Sequence, residues 1–259
     1  MIFTTAIVKT PASTFAQGIS SGLNGTPDLE KTFAQHKAYC QAIEQCGLQL
    51  IILEADSLYP DSTFVEDIAI VAKGFAIITN PGNELRKGEI QAVESCVKTS
   101  PSFQRLYRIT SPGTLDGGDI CEADGSFYIG ISQRTNPAGA EQLAQFLFKE
   151  GFSSTVVDIR NIPSLLHLKS GIAYLSNGQI ILINELKNLD VFKHMHIIEV
   201  EAAENYAANC ILVNQTVLIA RGFPKLQLTI EKLGYKIFSL DMSEFQKMDG
   251  GLSCLSLRF

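Results

Sequence analysis

Apolar positions along the chain fall into paired runs that alternate with polar, often glycine-rich turns. Five segments follow this pattern: FVEDIAIVAKGFAIIT from Phe64, LDGGDICEADGSFYIGIS from Leu115, LKSGIAYLSNGQIILIN from Leu168, ANCILVNQTVLIA from Ala208 and DGGLSCLSLRF from Asp249. The first four carry turn residues at their centres: Lys73-Gly74, Asp124-Gly125, Asn177-Gly178 and Asn214-Gln215. Short apolar runs separated by such residues are typical of β-hairpins. The pattern therefore predicts a strand pair in each unit.

Helical patterns lie between the strand pairs. Pro27-Asp28 opens DLEKTFAQHKAYCQAIEQCG, whose apolar positions recur at i, i+3 and i+4 until Gly47 stops the helix. KGEIQAVESCV, AGAEQLAQFLFKEG and PKLQLTIEKLG repeat this pattern. The five units start roughly 40 to 50 residues apart, a period that indicates a closed or stacked array of modules. We therefore expect strand–strand–helix–strand modules whose opening turns meet at a common axis.

Composition places the chain among globular proteins. Its 259 residues are 46% hydrophobic and 19% charged, which allows a substantial core and is too apolar for a disordered chain. The net charge of -6 argues against a nucleic-acid-binding surface. No run approaches the roughly 18 apolar residues of a membrane span, and the first residues lack the pattern of an export signal. We expect a cytoplasmic protein that binds neither nucleic acid nor membrane.

The six cysteines are scattered without a CxxC pair, which in a protein that is not exported indicates reduced thiols. One of them stands out. If the final segment is a strand, Leu255, Leu257 and Phe259 share one face and Cys254 lies on the other. A free cysteine is usually a small buried apolar residue. Here the alternation predicts instead that Cys254 faces something polar.

One of the four histidines stands in a comparable place. His167 precedes the turn that opens a unit, whereas His36 lies on the first predicted helix and His194 and His196 form an HxH pair. The HxH pair has no evident third ligand, so we expect no metal there. A nucleophile and its proton partner meet in space rather than in sequence. His167 and Cys254 are therefore a candidate Cys/His pair.

Carboxylates also occupy the openings of the units. Glu66 and Asp67 stand before an apolar strand, Asp116 and Asp119 flank a double glycine, and Asp249 precedes another. Aspartate before glycine is also a common turn residue, but charges beside a buried strand must be paired, liganded or neutralised. Three such sites require a cation, either a metal or an organic one. A guanidinium fits paired carboxylates well, because its planar N–H groups bind them bidentately.

Taken together, these motifs resemble those of the dimethylarginine dimethylaminohydrolases, in the guanidino-group-modifying superfamily that also includes arginine deiminases and amidinotransferases. The resemblance spans nearly the whole chain: PDSTFVED, NPGNELRKGE, LDGGD, GISQRTNPAGAE, LLHLKSG, YAANCILVN and MDGGLSCLSLRF occur in the family's order. It implies the α/β class and a five-bladed, pseudo-symmetric α/β propeller of ββαβ modules, with residues 1–259 as one catalytic domain. The repeat alone does not fix the number five.

The resemblance also implies the site residues. Cys254 corresponds to the nucleophile, His167 to the acid and base, and Asp116 to the catalytic carboxylate, where some relatives have glutamate. The substrate-binding residues it implies are the acids Asp61, Glu66, Asp67 and Asp249 and, for the amino-acid end, the arginines Arg86 and Arg134. Lys87 stands where relatives often have a second arginine, so we assign it no role. The stretch SSGLNGTPD, residues 20–28, corresponds to the family's flexible lid.

The activity implied is that of a cysteine hydrolase acting on N-methylated free arginines. Attack by Cys254 on the guanidinium would give a covalent S-alkylthiouronium intermediate, and the products would be citrulline and dimethylamine or methylamine. The resemblance implies no metal and no organic cofactor. The expected partner is a methylated arginine, and either a monomer or a homodimer is compatible with the sequence.

Two alternatives stay open. An arginine deiminase-type hydrolase would use the same residues on free arginine, although the chain has no room for the helical domain usual in those enzymes. A protein that only binds cationic amino acids would belong to a different class, and an assay for citrulline formation separates it. The choice between methylated and free arginine stays open, because a methyl group in a pocket contributes only about 1–3 kcal/mol of discrimination.

Overall fold

The computed structural model describes residues 2–259, and their strands form five three-stranded sheets, which we call blades. The strands in chain order are β1 (Thr5–Lys9), β2 (Gln49–Leu53), β3 (Ala69–Ala72), β4 (Gly74–Ile78), β5 (Phe103–Arg108), β6 (Ile120–Ala123), β7 (Ser126–Ile131), β8 (Ser153–Asp158), β9 (Ile172–Tyr174), β10 (Gln179–Ile183), β11 (His196–Val200), β12 (Ile211–Val213), β13 (Thr216–Ala220), β14 (Lys236–Leu240) and β15 (Leu257–Arg258). The α-helices are α1 (Leu29–Gln45), α2 (Ile90–Thr99), α3 (Pro137–Lys149), α4 (Pro224–Lys232) and α5 (Ser243–Gln246).

One connection is repeated in the first four blades. An antiparallel strand pair leads through a crossover to a third strand, which pairs in parallel with the middle one. The blades are β3-β4-β5, β6-β7-β8, β9-β10-β11 and β12-β13-β14. A crossover of this kind is what parallel strands require. The predicted five-bladed α/β propeller is confirmed.

The fifth blade is assembled from distant parts of the chain. Strand β15 pairs antiparallel with β1, with Ala6 opposite Arg258 and Ile7 opposite Leu257. Strand β1 then pairs in parallel with β2, and helix α1 lies between them in sequence. The last described strand and the first thus share one sheet, which closes the ring of blades.

The predicted hairpin turns are found where the turn residues stand. Asp124 and Gly125 have φ of 48° and 76°, and Asn177 and Gly178 have φ of 53° and 71°. Positive φ at both central residues matches the right-handed twist of the flanking strands, and Asp-Gly and Asn-Gly adopt it at low cost. These local signals therefore set the register of two inner strand pairs.

The predicted helices form, with one departure from the repeat. The Asp28 side chain accepts a hydrogen bond from the Lys31 N–H at the start of α1, and Gly47 follows that helix at φ 93°. In the third blade the crossover from β10 to β11 contains a 3₁₀ turn, Asp190–Phe192, in place of an α-helix. Two buried apolar residues of this crossover, Leu186 and Phe192, lie six residues apart. That spacing does not place them on one face of a helix.

Each blade opens on a 3₁₀ turn near the axis, and we call these five segments the mouth turns. They are Val65–Ile68, Gly117–Asp119, Leu168–Ser170, Ala202–Ala208 and Ser253–Leu255. Four of the five neighbouring pairs contact each other directly: the fifth and first, the first and second, the second and third, and the third and fourth. The sequence predicted this convergence, and it brings side chains from distant blades together.

The predicted strand through Cys254 is wrong. Cys254 lies in the last mouth turn, and β15 begins only at Leu257. The backbone N–H of Ser253 donates to the side chain of Asn209 rather than to a neighbouring strand, so the segment around Cys254 is not part of the sheet. Leu255 and Leu257 are buried as the alternation indicated.

Apolar clusters fill the spaces between neighbouring blades. One joins the second, third and fourth blades, another the fourth and fifth, and others join the first to the second and the fifth to the first. Such burial is the main source of stabilisation in a domain of this size. None of the helices within residues 2–259 has the length and apolar character of a membrane span.

Candidate active site

A small cavity of about 30 Å³ lies at the mouth turns. It brings together seven of the nine residues that the sequence singled out: Asp61, Asp67, Arg86, Arg134, His167, Asp249 and Cys254. Of the other two, Asp116 lies directly behind His167, and Glu66 faces a different cavity. Residues from distant parts of the sequence thus share one space.

His167 comes just before the third mouth turn and is held between two carboxylates. Its Nε2 lies 3.1 Å from Oδ2 of Asp116, and its Nδ1 lies 4.0 Å from Oδ1 of Asp67. Burial disfavours the charged ring, but Asp67 and the Asp116 hydrogen bond outweigh burial and raise the pKa of His167 to about 9. The ring is therefore an imidazolium at neutral pH and can donate a proton.

Asp67 is ionised although it is buried. Its Oδ1 accepts the N–H of Gly118 at 2.9 Å, and its Oδ2 pairs with Nη1 of Arg86 at 2.5 Å. Burial alone would raise its pKa, but His167 and Arg86 lower the pKa of Asp67 to about 2. Gly118 is required at this point, because a Cβ there would lie 2.7 Å from Asp67 Oδ1 and 2.8 Å from His167 Nδ1.

Asp116 is fully buried before the second mouth turn. Its Oδ1 accepts the N–H of Gly82 at 2.8 Å, and its Oδ2 faces His167. The second aspartate of the motif, Asp119, instead accepts hydrogen bonds from the Thr135 hydroxyl and the Leu168 N–H. The LDGGD motif thus provides one carboxylate for the site and one for the scaffold.

Cys254 is a neutral thiol at rest. Burial, followed by the charges of Glu66 and Asp67, raises the pKa of Cys254 to about 12. A thiol must lose its proton to become a nucleophile. The cavity therefore holds a nucleophile that requires an additional positive charge beside it before it can react.

The two arginines differ in what they already bind. Arg86 is buried, and its Nε and Nη2 donate to the carboxylate of Glu89 while Nη1 pairs with Asp67. Burial opposes the charge, but Asp67 and Glu89 raise the pKa of Arg86 above its ordinary value. Within residues 2–259, the guanidinium of Arg134 makes no hydrogen bond or ion pair, although the residue lines the cavity.

The loop that contains the predicted lid reaches the cavity at Ile19 and is held by two of the predicted substrate-binding acids. The carboxylate of Asp61 accepts the N–H of Ile19 at 3.0 and 3.2 Å. Asp249 accepts the N–H of Ser21 at 2.5 Å and its hydroxyl at 2.7 Å. Both acids thus bind protein donors in the state that the structure describes.

Glu66 lies on the far side of the mouth turns from the small cavity. Its Oε1 pairs with Nζ of Lys169 at 2.5 Å and its Oε2 accepts the Ser253 hydroxyl at 2.7 Å. These residues line a second cavity, of about 1360 Å³, that extends along the inner strands to the hairpin turns. A direct contact between Glu66 and the substrate stays a prediction.

Three side chains could offer ligand atoms to a metal. Oxygens of Asp67 and Asp116 and a ring nitrogen of His167 lie within 4.8 Å of one another. The carboxylate oxygens, however, already accept hydrogen bonds from Arg86, Gly118 and Gly82. A protonated His167 offers no lone pair. The expected absence of a metal stays a prediction.

Several residues of the site escaped the sequence analysis. Glu89 fixes Arg86, and Asn209, Ser253 and Lys169 connect the mouth turns to one another. The signal for Glu89 was its position three residues after an arginine, at the start of α2. Asn209 and Ser253 gave no such signal, because their hydrogen bonds join residues 40 or more positions apart.

Comparisons with known proteins agree with this arrangement. The profile of the arginine deiminase family matches residues 59–218. The N(G),N(G)-dimethylarginine dimethylaminohydrolase of Pseudomonas aeruginosa is 41% identical, with both chains covered completely, and that of Streptomyces coelicolor is 31% identical over 98% of this chain and 96% of the relative.

Solved structures of dimethylarginine dimethylaminohydrolase are similar to this chain over its full length. The Pseudomonas aeruginosa enzyme in a cysteine-to-serine variant complexed with citrulline has a TM-score of 0.95 and 40% identity, covering both chains completely. A dimethylarginine dimethylaminohydrolase adduct with S-methyl-L-thiocitrulline has the same TM-score, identity and coverage.

Proposed function

Because this chain belongs to the arginine deiminase family, and within it to the dimethylarginine dimethylaminohydrolases, we propose that it hydrolyses the guanidinium of N-methylated free arginines. The products are citrulline and dimethylamine or methylamine. The observation that carries the proposal is the convergence of Cys254, His167 and Asp67 at one cavity, with Asp116 bound to His167 from behind. Each group is matched to one requirement of the reaction.

The first requirement is to hold a planar cation. Asp67 lines the cavity, and we assign its carboxylate to the N–H groups of the guanidinium, while Asp116 holds His167 from behind. The bound cation places a positive charge beside the Cys254 thiol, which lowers its pKa and favours release of its proton to solvent. The nucleophile is thus activated when substrate binds.

Covalent chemistry follows in two halves. The Cys254 thiolate attacks the central carbon, and the His167 imidazolium gives its proton to the departing amine, since an amide-like anion does not leave unaided. A cationic S-alkylthiouronium remains on Cys254. Neutral His167 then removes a proton from water as the oxygen adds to carbon. Collapse expels the Cys254 thiolate, and loss of the hydroxyl proton leaves the urea group of citrulline.

The opposite end of the cavity suits an amino acid. We assign the substrate carboxylate to Arg134, whose guanidinium is free within the described residues. Arg86, for which the resemblance implied the same role, is paired with Asp67 and Glu89, and we assign it to holding Asp67 in place. Asp61 and Asp249 are assigned to the substrate ammonium, which would replace the N–H groups of Ile19 and Ser21. Glu66 acts from behind the cavity through Ser253 and Lys169. A free zwitterion fits this distribution of charge better than peptide-bound arginine.

The wider proposal is that residues 1–259 act as one catalytic domain. It needs no metal or organic cofactor, because the thiol, the imidazolium and the carboxylates provide every group that the reaction requires. All six cysteines are free, which fits the proposed cytoplasmic location. The proposed oligomeric state is a monomer or a homodimer, with neither nucleic acid nor membrane as partner.

The deciding experiment compares three substrates side by side. Initial rates of citrulline formation are measured on asymmetric dimethylarginine, monomethylarginine and arginine, with dimethylamine, methylamine and ammonia quantified separately. We expect the methylated substrates to have the higher kcat/KM. Turnover of arginine alone would identify a deiminase, and binding measured by calorimetry without any product would identify a binding protein.

A further inference from the structure

The fourth blade contributes none of the predicted reacting residues, yet its mouth turn ends at a buried amide that contacts both neighbouring blades. We propose that Asn209 is a positioning residue, which sets the spacing between Cys254 and His167 by holding Ser253 against the third mouth turn. The inference rests on the proposed function, because it assumes that Cys254 and His167 react with a bound guanidinium.

The hydrogen bonds of Asn209 run in two directions. Its Oδ1 accepts the backbone N–H of Ser253 at 2.9 Å, and its Nδ2 donates to the Ser253 hydroxyl at 2.9 Å. The same Nδ2 donates to the backbone carbonyl of Lys169 at 2.7 Å. Ser253 precedes Cys254, and Lys169 follows His167 by two residues. One side chain thus connects the two segments that carry the thiol and the imidazole.

Ser253 extends this connection into a closed circuit. Its hydroxyl donates to Oε2 of Glu66 at 2.7 Å, and Oε1 of Glu66 pairs with Nζ of Lys169 at 2.5 Å. Lys169 closes the circuit through its carbonyl to Asn209. Asn209, Ser253 and Glu66 are all buried. In a low-dielectric site such fully satisfied networks resist distortion.

The circuit and the reacting groups occupy opposite sides of the same turns. Glu66 and Ser253 line the large cavity, whereas their sequence neighbours Asp67 and Cys254 line the small one. In a 3₁₀ turn, successive side chains point about 120° apart. A rotation of the turn about its own axis would therefore move both neighbours together, so the bonds of Ser253 fix the direction of the Cys254 thiol.

The double glycine before Cys254 fits the same arrangement. A Cβ on Gly251 would lie 2.3 Å from Oδ1 of Asn209 and 2.7 Å from its Cγ. A side chain at this position would push the amide away from Ser253. The close approach of Asn209 thus requires glycine at position 251. This requirement is independent of the turn conformation that Asp249 adopts at φ 56°.

The test is Asn209→Ala, with Ser253→Ala as a second variant that keeps the backbone N–H to Asn209. A misplacement of reacting groups by about 1 Å costs on the order of 10²-fold. We expect kcat of Asn209→Ala to fall by about 10²-fold and that of Ser253→Ala by about tenfold, with KM changed by less than about threefold. Quenched-flow mass spectrometry should show slower formation of the adduct on Cys254.

Asn214→Ala is the matched control. Asn214 belongs to the same blade, and its amide also makes three hydrogen bonds, to the N–H and carbonyl of Phe3 and to the carbonyl of Cys46. We expect this variant to lose thermal stability while its kcat and adduct rate stay near wild type. Cys254→Ser is run in parallel, because an active Cys254→Ser variant would overturn the proposed function itself.

The outcomes separate the two proposals. With Cys254→Ser inactive, a wild-type kcat and adduct rate in Asn209→Ala would overturn the positioning role alone. Equal losses of kcat in Asn209→Ala and Asn214→Ala would also overturn it, since they would reflect stability only. If Asn209→Ala does not fold, Ser253→Ala decides: its unchanged adduct rate contradicts the proposal, and a slower rate at unchanged KM supports it.

Discussion

One cysteine follows the fourth mouth turn, Cys210, and one lies in the fifth, Cys254. Burial raises the pKa of both thiols to about 12. Cys210 packs in the apolar cluster shared by the second, third and fourth blades. Cys254 lines the small cavity with Asp67 and His167. The acidity of the resting thiol therefore does not separate the two. They differ in access to carboxylates that can bring a cation to the sulfur and to an imidazolium that can protonate a leaving group.

The sharpest way to test this difference is to remove the sulfur at Cys254. We expect Cys254→Ser to lose activity by on the order of 10³-fold or more, because a hydroxyl beside these acids is a far weaker nucleophile. Its unfolding midpoint should stay close to wild type, since the substitution leaves a small polar group at the cavity wall. Steady-state citrulline assays and thermal unfolding measure the two effects. Activity near wild type would remove Cys254 from the mechanism.

Cys254 also differs from Cys210 in sharing the small cavity with the His167 imidazolium. His167→Ala should slow turnover by about 10²–10⁴-fold, because one ring serves as acid in the first half and as base in the second. Mass spectrometry of the quenched variant should detect a substrate-derived adduct on Cys254 if hydrolysis is slowed more than attack. An unchanged rate together with an unchanged pH profile would contradict the assigned role.

The same histidine makes stability depend on pH. Its pKa is about 9 in the folded protein and about 6.5 in the unfolded chain, so folding favours the protonated ring. This stabilisation is fully present below pH 6.5 and is lost as the pH rises through 9. Between pH 6 and pH 9, wild type should lose about 3 kcal/mol more of its unfolding free energy than His167→Gln.

Urea unfolding of both proteins at the two pH values gives this difference directly. Cysteine ionisation in the unfolded chain is common to both proteins and cancels in the comparison. Parallel pH dependence in wild type and variant would show that His167 is not held protonated by Asp67 and Asp116.

The far end of the cavity allows a smaller test. Removing Arg134 should raise KM for free methylarginines by about 10- to 10²-fold, because a hydrogen bond to a charged group contributes about 1.5–3 kcal/mol. Simple alkylguanidines lack the carboxylate and should be affected much less. Kinetics of Arg134→Ala on both substrate types, with the half-buried Lys87, which does not line the cavity, changed to alanine as a cationic control, would measure the contrast. Equal losses on the two types would place Arg134 in the scaffold instead.

A structural feature could be predicted from the sequence when it depends on residues that are close together in the chain. The hairpins at Asp124-Gly125 and Asn177-Gly178 and the helix between Asp28 and Gly47 depend on backbone preferences of a few residues, and they formed as predicted. The convergence of the mouth turns followed from the repeat. These features require no knowledge of distant partners.

The orientation of individual side chains was not visible in the same way. Glu66 and Asp67 are adjacent and chemically alike, yet a 3₁₀ turn directs them into different cavities. Arg86 binds Glu89 and Asp67, because both carboxylates are buried beside it and an unpaired charge there would be costly. Such choices depend on the assembled ring of blades.

The smallest expected effect completes the comparison of the two thiols. Cys210→Ala removes a buried sulfur from an apolar cluster and leaves a small void, so we expect a loss of about 1 kcal/mol of unfolding free energy. Its kcat and KM should match wild type, because Cys210 packs against apolar side chains rather than lining the small cavity. Urea unfolding and citrulline assays on one preparation test both expectations. A drop in kcat without a drop in stability would mean that the fourth-blade cysteine, which lies next to Asn209 in sequence, helps to align the reacting groups.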